Sequence, residues 1–123
     1  MLKVIFAIGC GSALGGICRY LLTLLLSRQE LKLLPWGTYA VNIIGCFVIG
    51  LIIGLCDKGA SISPATKAFL TIGFCGGFTT FSTFINENFM MLGAGQALGA
   101  IVYTVLSFAM GLFAVWLGHA VAS

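Results

Sequence analysis

From Val4 to Val121 the chain is almost continuously apolar, and the polar breaks in it are short: Arg28 to Lys32, Asp57 with Lys58, and Gly93-Ala94-Gly95. They divide the sequence into four runs, at about 4–27, 35–56, 64–92 and 96–121. Each is long enough to carry an α-helix across the hydrocarbon of a bilayer, which takes about 20 residues. With 60% of its residues hydrophobic and only 7% charged, the chain lies far from a soluble domain, in which about a quarter of residues are charged. A domain this small exposes much of its surface, so lipid must be the solvent for most of it. The expectation is one all-α, four-span membrane domain over 1–123. A soluble catalytic domain, a nucleic-acid module and an extramembrane sensor of useful size are excluded within that length. Lys3 and the apolar stretch to Cys18 also fit a signal peptide, but no A-x-A site follows and the rest of the chain is equally apolar.

The few charges bear on topology. With four spans, Lys3, Lys58 and Lys67 share one side of the membrane and Arg28 and Lys32 the other, three against two. Orientation follows the Lys and Arg bias, and this bias is nearly nil. Two readings stand: insertion in both orientations, which would let two copies pair antiparallel about an axis in the membrane plane, or one orientation held by other factors. Cys10, Cys18, Cys46, Cys56 and Cys75 show no CxxC or metal-ligand spacing and read as small apolar packers. Glycine pairs four apart, at 11 and 15, 50 and 54, 73 and 77, and 95 and 99, would let helix backbones approach closely.

The polar residues inside the spans need a reason. Residues 73–87 read Gly-Phe-Cys-Gly-Gly-Phe-Thr-Thr-Phe-Ser-Thr-Phe-Ile-Asn-Glu. Gly76-Gly77 weakens a helix by about 1 kcal/mol per glycine relative to alanine. Either the helix breaks there, which lipid tolerates only where the freed backbone is buried or lines a cavity and which offers carbonyls suited to a small cation, or it continues unbroken through a close crossing. Thr79, Thr80, Ser82 and Thr83 follow, with Phe81 and Phe84 three apart on one face. Hydroxyl donors and the positive edges of phenyl rings can replace the water of a small anion; alternatively the hydroxyls bond back to carbonyls one turn earlier. Asn42 reads equally as interhelical glue or as a donor to a pore. Tyr103 and Ser107, four apart, could extend a polar track. Arg19 fits a snorkelling cation or an anion-attracting vestibule, Glu87 a capping or coupling partner, and His119 a surface position. No catalytic triad, phosphate loop or metal cluster is present, and no enzyme activity is expected.

Three segments together resemble the Fluc/CrcB family of fluoride channels: Gly15-Gly16-Ile17-Cys18-Arg19-Tyr20, Gly37 to Asn42 continuing to Gly45, and Gly73-Phe74-Cys75-Gly76-Gly77-Phe78-Thr79-Thr80-Phe81-Ser82-Thr83-Phe84. The third is long and specific, and the resemblance covers essentially the whole chain, most weakly in the fourth span. It implies an antiparallel, dual-topology homodimer in the bacterial inner membrane, with two passive fluoride pathways selective against chloride and no organic cofactor. By matching motifs, Phe81 and Phe84 would line ion sites with Asn42, and Ser82 and Thr83 would continue the track. Gly76 and Thr79 would offer backbone carbonyls to a structural sodium ion, and Arg19 would sit by an aqueous vestibule. Tyr103 and Ser107 join the track by position only. Phe78 departs from the family's leucine and stays apolar. Two rivals remain: a small multidrug-type proton-coupled cation exporter, which needs a carboxylate near the middle of the first span where this chain has Arg19, and a non-conducting membrane assembly subunit.

Overall fold

A computed structural model describes residues 1–27 and 34–123. The connection expected at 28–32 lies outside the described residues. Four helical rods cover the four apolar runs, each long and apolar enough to cross a membrane. Helix α1 spans Leu2–Ser27 and α2 spans Trp36–Asp57. Helix α2 begins after Pro35, where the indole of Trp36 meets the ring of Tyr39 edge-on at 5.9 Å. The third rod starts with Pro64 in its first turn, and the Ser63 hydroxyl caps it by accepting from the Thr66 amide at 3.2 Å.

That third rod is not one regular helix. Its first part, α3 (residues 64–78), passes from an α-helical turn, Pro64–Ala68, through a π-helical segment, Phe69–Cys75, into Gly76–Phe78. Thr79 (φ −95°, ψ 162°) and Thr80 (φ −152°, ψ 124°) are extended, and α4, Phe81–Gly93, then resumes the path. A turn containing Gly95 at φ +77° leads to α5, Ala97–Ala122.

Of the two readings of Gly76-Gly77, a break does not fall on those residues: both remain helical, and the rod is interrupted at Thr79 and Thr80 instead. At Gly77 the missing side chain serves packing. A Cβ on Gly77 would lie 2.6 Å from the Ser12 carbonyl oxygen of α1. In lipid a backbone can leave the helix only where other groups take over its hydrogen bonds, and those groups stand at Thr79 and Thr80.

Two close helix pairs make up the fold. Helix α1 lies on α3 backbone to backbone: Gly11 and Gly15 face the carbonyls of Phe69 and Phe74, and Gly73 and Gly77 answer from α3. Helix α2 lies equally close on α5, with Gly50 against the Val115 carbonyl, Gly118 against that of Phe47, and Gly54 facing His119. At the end of this second pair, Asp57 Oδ2 and His119 Nε2 are 2.8 Å apart on the surface. The fourth glycine pair makes no helix crossing, because Gly95 sits in the turn with open space around it and Gly99 meets only side-chain atoms of Met91 and Gln96. All five cysteines are free. Much of the outer face is apolar, with Phe6, Phe89, Leu98 and Leu112 among the exposed side chains.

Candidate functional site

The extended residues Thr79 and Thr80 interrupt the rod beside α2, and Asn42 bridges the gap. Its Nδ2 donates to the Thr80 carbonyl at 3.1 Å, and its Oδ1 accepts from the Thr80 amide at 2.8 Å. One side-chain amide thus replaces both helical partners of one backbone unit. Gly45, on the next turn of α2, leaves room for the Thr79 methyl. Several other groups at the interruption also find partners. The Thr79 amide and hydroxyl both donate to the Cys75 carbonyl, at 3.0 and 2.9 Å. The Thr80 hydroxyl caps α4 by accepting from the Thr83 amide at 3.3 Å. From α1, Arg19 Nε donates to the Gly77 carbonyl at 3.0 Å. Among the described residues, no donor meets the carbonyl of Gly76 or of Thr79.

Asn42, Gly76, Thr79, Phe81, Phe84 and Ser107 meet along one groove of about 480 Å³ that opens on the face of the chain. Among the described residues, no charged side chain lines it. Phe81 is 69% exposed and Phe84 only 5%, with ring centres 6.2 Å apart. Phe84 also packs against the rings of Tyr103 at 5.0 Å and Phe108 at 6.3 Å. The Ser107 hydroxyl oxygen is buried and has no hydrogen-bond partner. Buried polar atoms are nearly always paired, so an orphan hydroxyl on a groove wall is free to donate to a guest.

Beyond Phe84 lies a carboxylate. Glu87 Oε1 accepts from the Tyr103 hydroxyl at 2.8 Å and Oε2 from the Thr38 hydroxyl at 2.7 Å, tying α4 to α5 and α2. Tyr103 is fully buried and Thr38 is 4% exposed. Here Glu87 acts as an acceptor that holds two hydroxyls. A second bond between α4 and α5 runs from the Thr104 hydroxyl to Asn88 Oδ1 at 3.0 Å.

The other sequence-predicted residues stand apart from the groove wall. Ser82 is exposed and Thr83 half-buried, both in the first turn of α4. Arg19 approaches from the α1 side, and Tyr103 reaches the site only through the ring of Phe84. Thr79 has the back-bonded hydroxyl that the sequence left open as an alternative. Sequence reasoning passed over Thr38 and gave Thr80 no role of its own. Thr38 lies four residues before Asn42 and hence on the same helix face; that spacing was a usable signal. Thr80 acts through its capping hydroxyl and through its backbone, and the backbone part carries no signal in the sequence. Among the described residues no group of His, Cys, Asp and Glu could hold a metal ion, so a cation here would rest on carbonyl oxygens.

An arrangement of uncharged donors, phenyl edges and an orphan hydroxyl suits a small, hard anion stripped of its water. The sequence model of the family described as CrcB-like protein, Camphor Resistance (CrcB), matches residues 6–119. Among curated proteins, the chain is 46% identical to the fluoride-specific ion channel FluC of Geotalea daltonii, over 99% of this chain and 98% of the relative. It is 44% identical to the FluC of Flavobacterium psychrophilum, over 98% of both chains. With the FluC of Leptospira interrogans it shares 41% identity over 89% of this chain and 87% of that one.

Proposed function

Because the chain belongs to the CrcB-like family, we propose that it is a fluoride-selective channel, a multi-pass membrane protein that lets fluoride leave the cytoplasm down its electrochemical gradient. The observation that carries this reading is the groove at the helix interruption, where Asn42, Phe81, Phe84 and Ser107 present neutral donors and ring edges with no fixed charge. A fixed cation there would hold the anion too tightly to release it, whereas several weak contacts permit both entry and exit. Asn42 has a second amide hydrogen beyond the one given to Thr80, and Ser107 has its unclaimed hydroxyl. Past Phe84, the Tyr103 and Thr38 hydroxyls continue the line toward Glu87, while Ser82 and Thr83 flank it at the start of α4. Hydrogen fluoride enters cells by diffusion and dissociates inside, so an exit for the anion protects the cell. Ions pass unchanged, with no covalent or redox step.

The working unit in this reading is an antiparallel, dual-topology homodimer in the bacterial inner membrane. The three-to-two division of Lys and Arg supports it, as does a groove that one protomer leaves open with Phe81 largely uncovered. A second copy would close the groove into a pathway. The unpartnered carbonyls of Gly76 and Thr79 fit a hard monovalent cation, and these residues would hold a structural sodium ion, which would supply the positive partner their lone pairs lack. The relatives' names do not favour a multidrug exporter, and the first span has no carboxylate for proton exchange. Fluoride-electrode recording on purified protein in liposomes tests the reading. Fluoride release on opening an electrical shunt, with chloride retained, is expected; retention of fluoride would overturn it.

A further inference from the structure

The role of Arg19 is not exhausted by attraction of anions. The 11, 15, 19 and 23 positions of α1 lie on one helical face. Gly11 and Gly15 bring that face onto the backbone of α3, and the face then delivers Arg19 to the point where α3 ends. A helix end presents carbonyls without intrahelical partners and a negative dipole. In lipid no water is at hand for them. Of those at the end of α3, Cys75 has the Thr79 amide and hydroxyl and Gly77 has Arg19 Nε, while among the described residues Gly76, Phe78 and, just beyond the helix, Thr79 have none. Arg19 thus takes one carbonyl from the middle of the set and leaves those on either side of it.

We propose that Arg19 is a positioning residue for the ion pathway: reaching across from α1, it caps the carbonyl end of α3 at Gly77 and so fixes which carbonyls the interruption offers and where α4 begins. A guanidinium suits this task because its charge opposes the helix dipole while its planar donors hold direction. Asn42 secures the same interruption from the opposite side, at Thr80. The two together hold two extended residues in place between two helices. The inference rests on the channel reading only for its flux measurement.

The test uses the full chain in liposomes, comparing Arg19→Met, Arg19→Gln and Arg19→Lys with the unaltered protein. Backbone hydrogen exchange of segment 76–84 should accelerate at least about tenfold in Arg19→Met, with α5 unchanged. Arg19→Lys, which keeps a charged donor, should restore protection to within about threefold. Fluoride efflux should fall in Arg19→Met by about the same factor at ionic strengths of about 0.01 M and about 1 M, because a lost cap is not a screened field. Unaltered exchange in 76–84, or acceleration spread evenly through α5, would overturn the proposal. A flux deficit that vanishes at high salt would do so too, leaving only an attractor. If Arg19→Met does not fold, Arg19→Gln decides by the same exchange pattern. If the unaltered protein passes no fluoride, the channel reading falls while the exchange pattern still decides the cap.

Discussion

Both ends of the Asn42 amide close on one residue, Thr80, and this makes Asn42 structural as well as a donor. Replacing it with Leu leaves a partly buried N–H and a partly buried C=O unpaired, at up to about 1–3 kcal/mol each. Asn42→Leu is therefore expected to lower stability in a denaturation series and abolish efflux together. Ser107 is the opposite case, since its hydroxyl has no partner to lose. Ser107→Ala should leave the denaturation midpoint unchanged. It should slow fluoride efflux by about tenfold, the rate equivalent of one lost contact of about 1.4 kcal/mol. Parallel loss of stability in Ser107→Ala would show that the hydroxyl is engaged within the fold.

At the scale of elements, backbone contact between helices depends on individual glycines. Gly45 admits the Thr79 methyl where a Cβ would overlap it, whereas Gly9 has nothing within 4 Å. Gly45→Ala should destabilise by about 1–3 kcal/mol through overpacking and impair efflux. Gly9→Ala should be neutral or stabilising by up to about 1 kcal/mol, with efflux intact; thermal unfolding and the electrode read both. The spans were legible because lipid demands apolar length, and short polar connections mark their ends. The site of the interruption was not, because propensity records what Gly76-Gly77 costs a free helix and not what α1 gives back at Ser12. Nor was the pairing of Arg19 with Gly77, 58 residues away, or of Asn42 with Thr80, 38 away, since side chains bound to backbone leave no periodic trace. Glu87, Tyr103 and Thr38 stand out singly as polar residues in apolar runs. Their convergence follows only from how α2, α4 and α5 pack.

The whole molecule leaves its groove open and its charge nearly balanced across the membrane. If function needs both orientations, Ala60→Lys with Ser61→Lys, both in the connection after α2, should bias insertion one way and abolish efflux. Co-expression with a chain carrying added lysines in the connection between α1 and α2 should restore it. Full activity of the biased chain alone would exclude dual topology. The central claim is that ring edges and neutral donors take the place of an anion's water, and Phe81 tests it most directly. Its ring is 69% exposed in the protomer, so little internal packing rests on it. Phe81→Ile, reconstituted and measured with a fluoride electrode, should fold normally and lose efflux by at least about tenfold, or about 1.4 kcal/mol of barrier. Efflux equal to that of the unaltered protein would contradict the account.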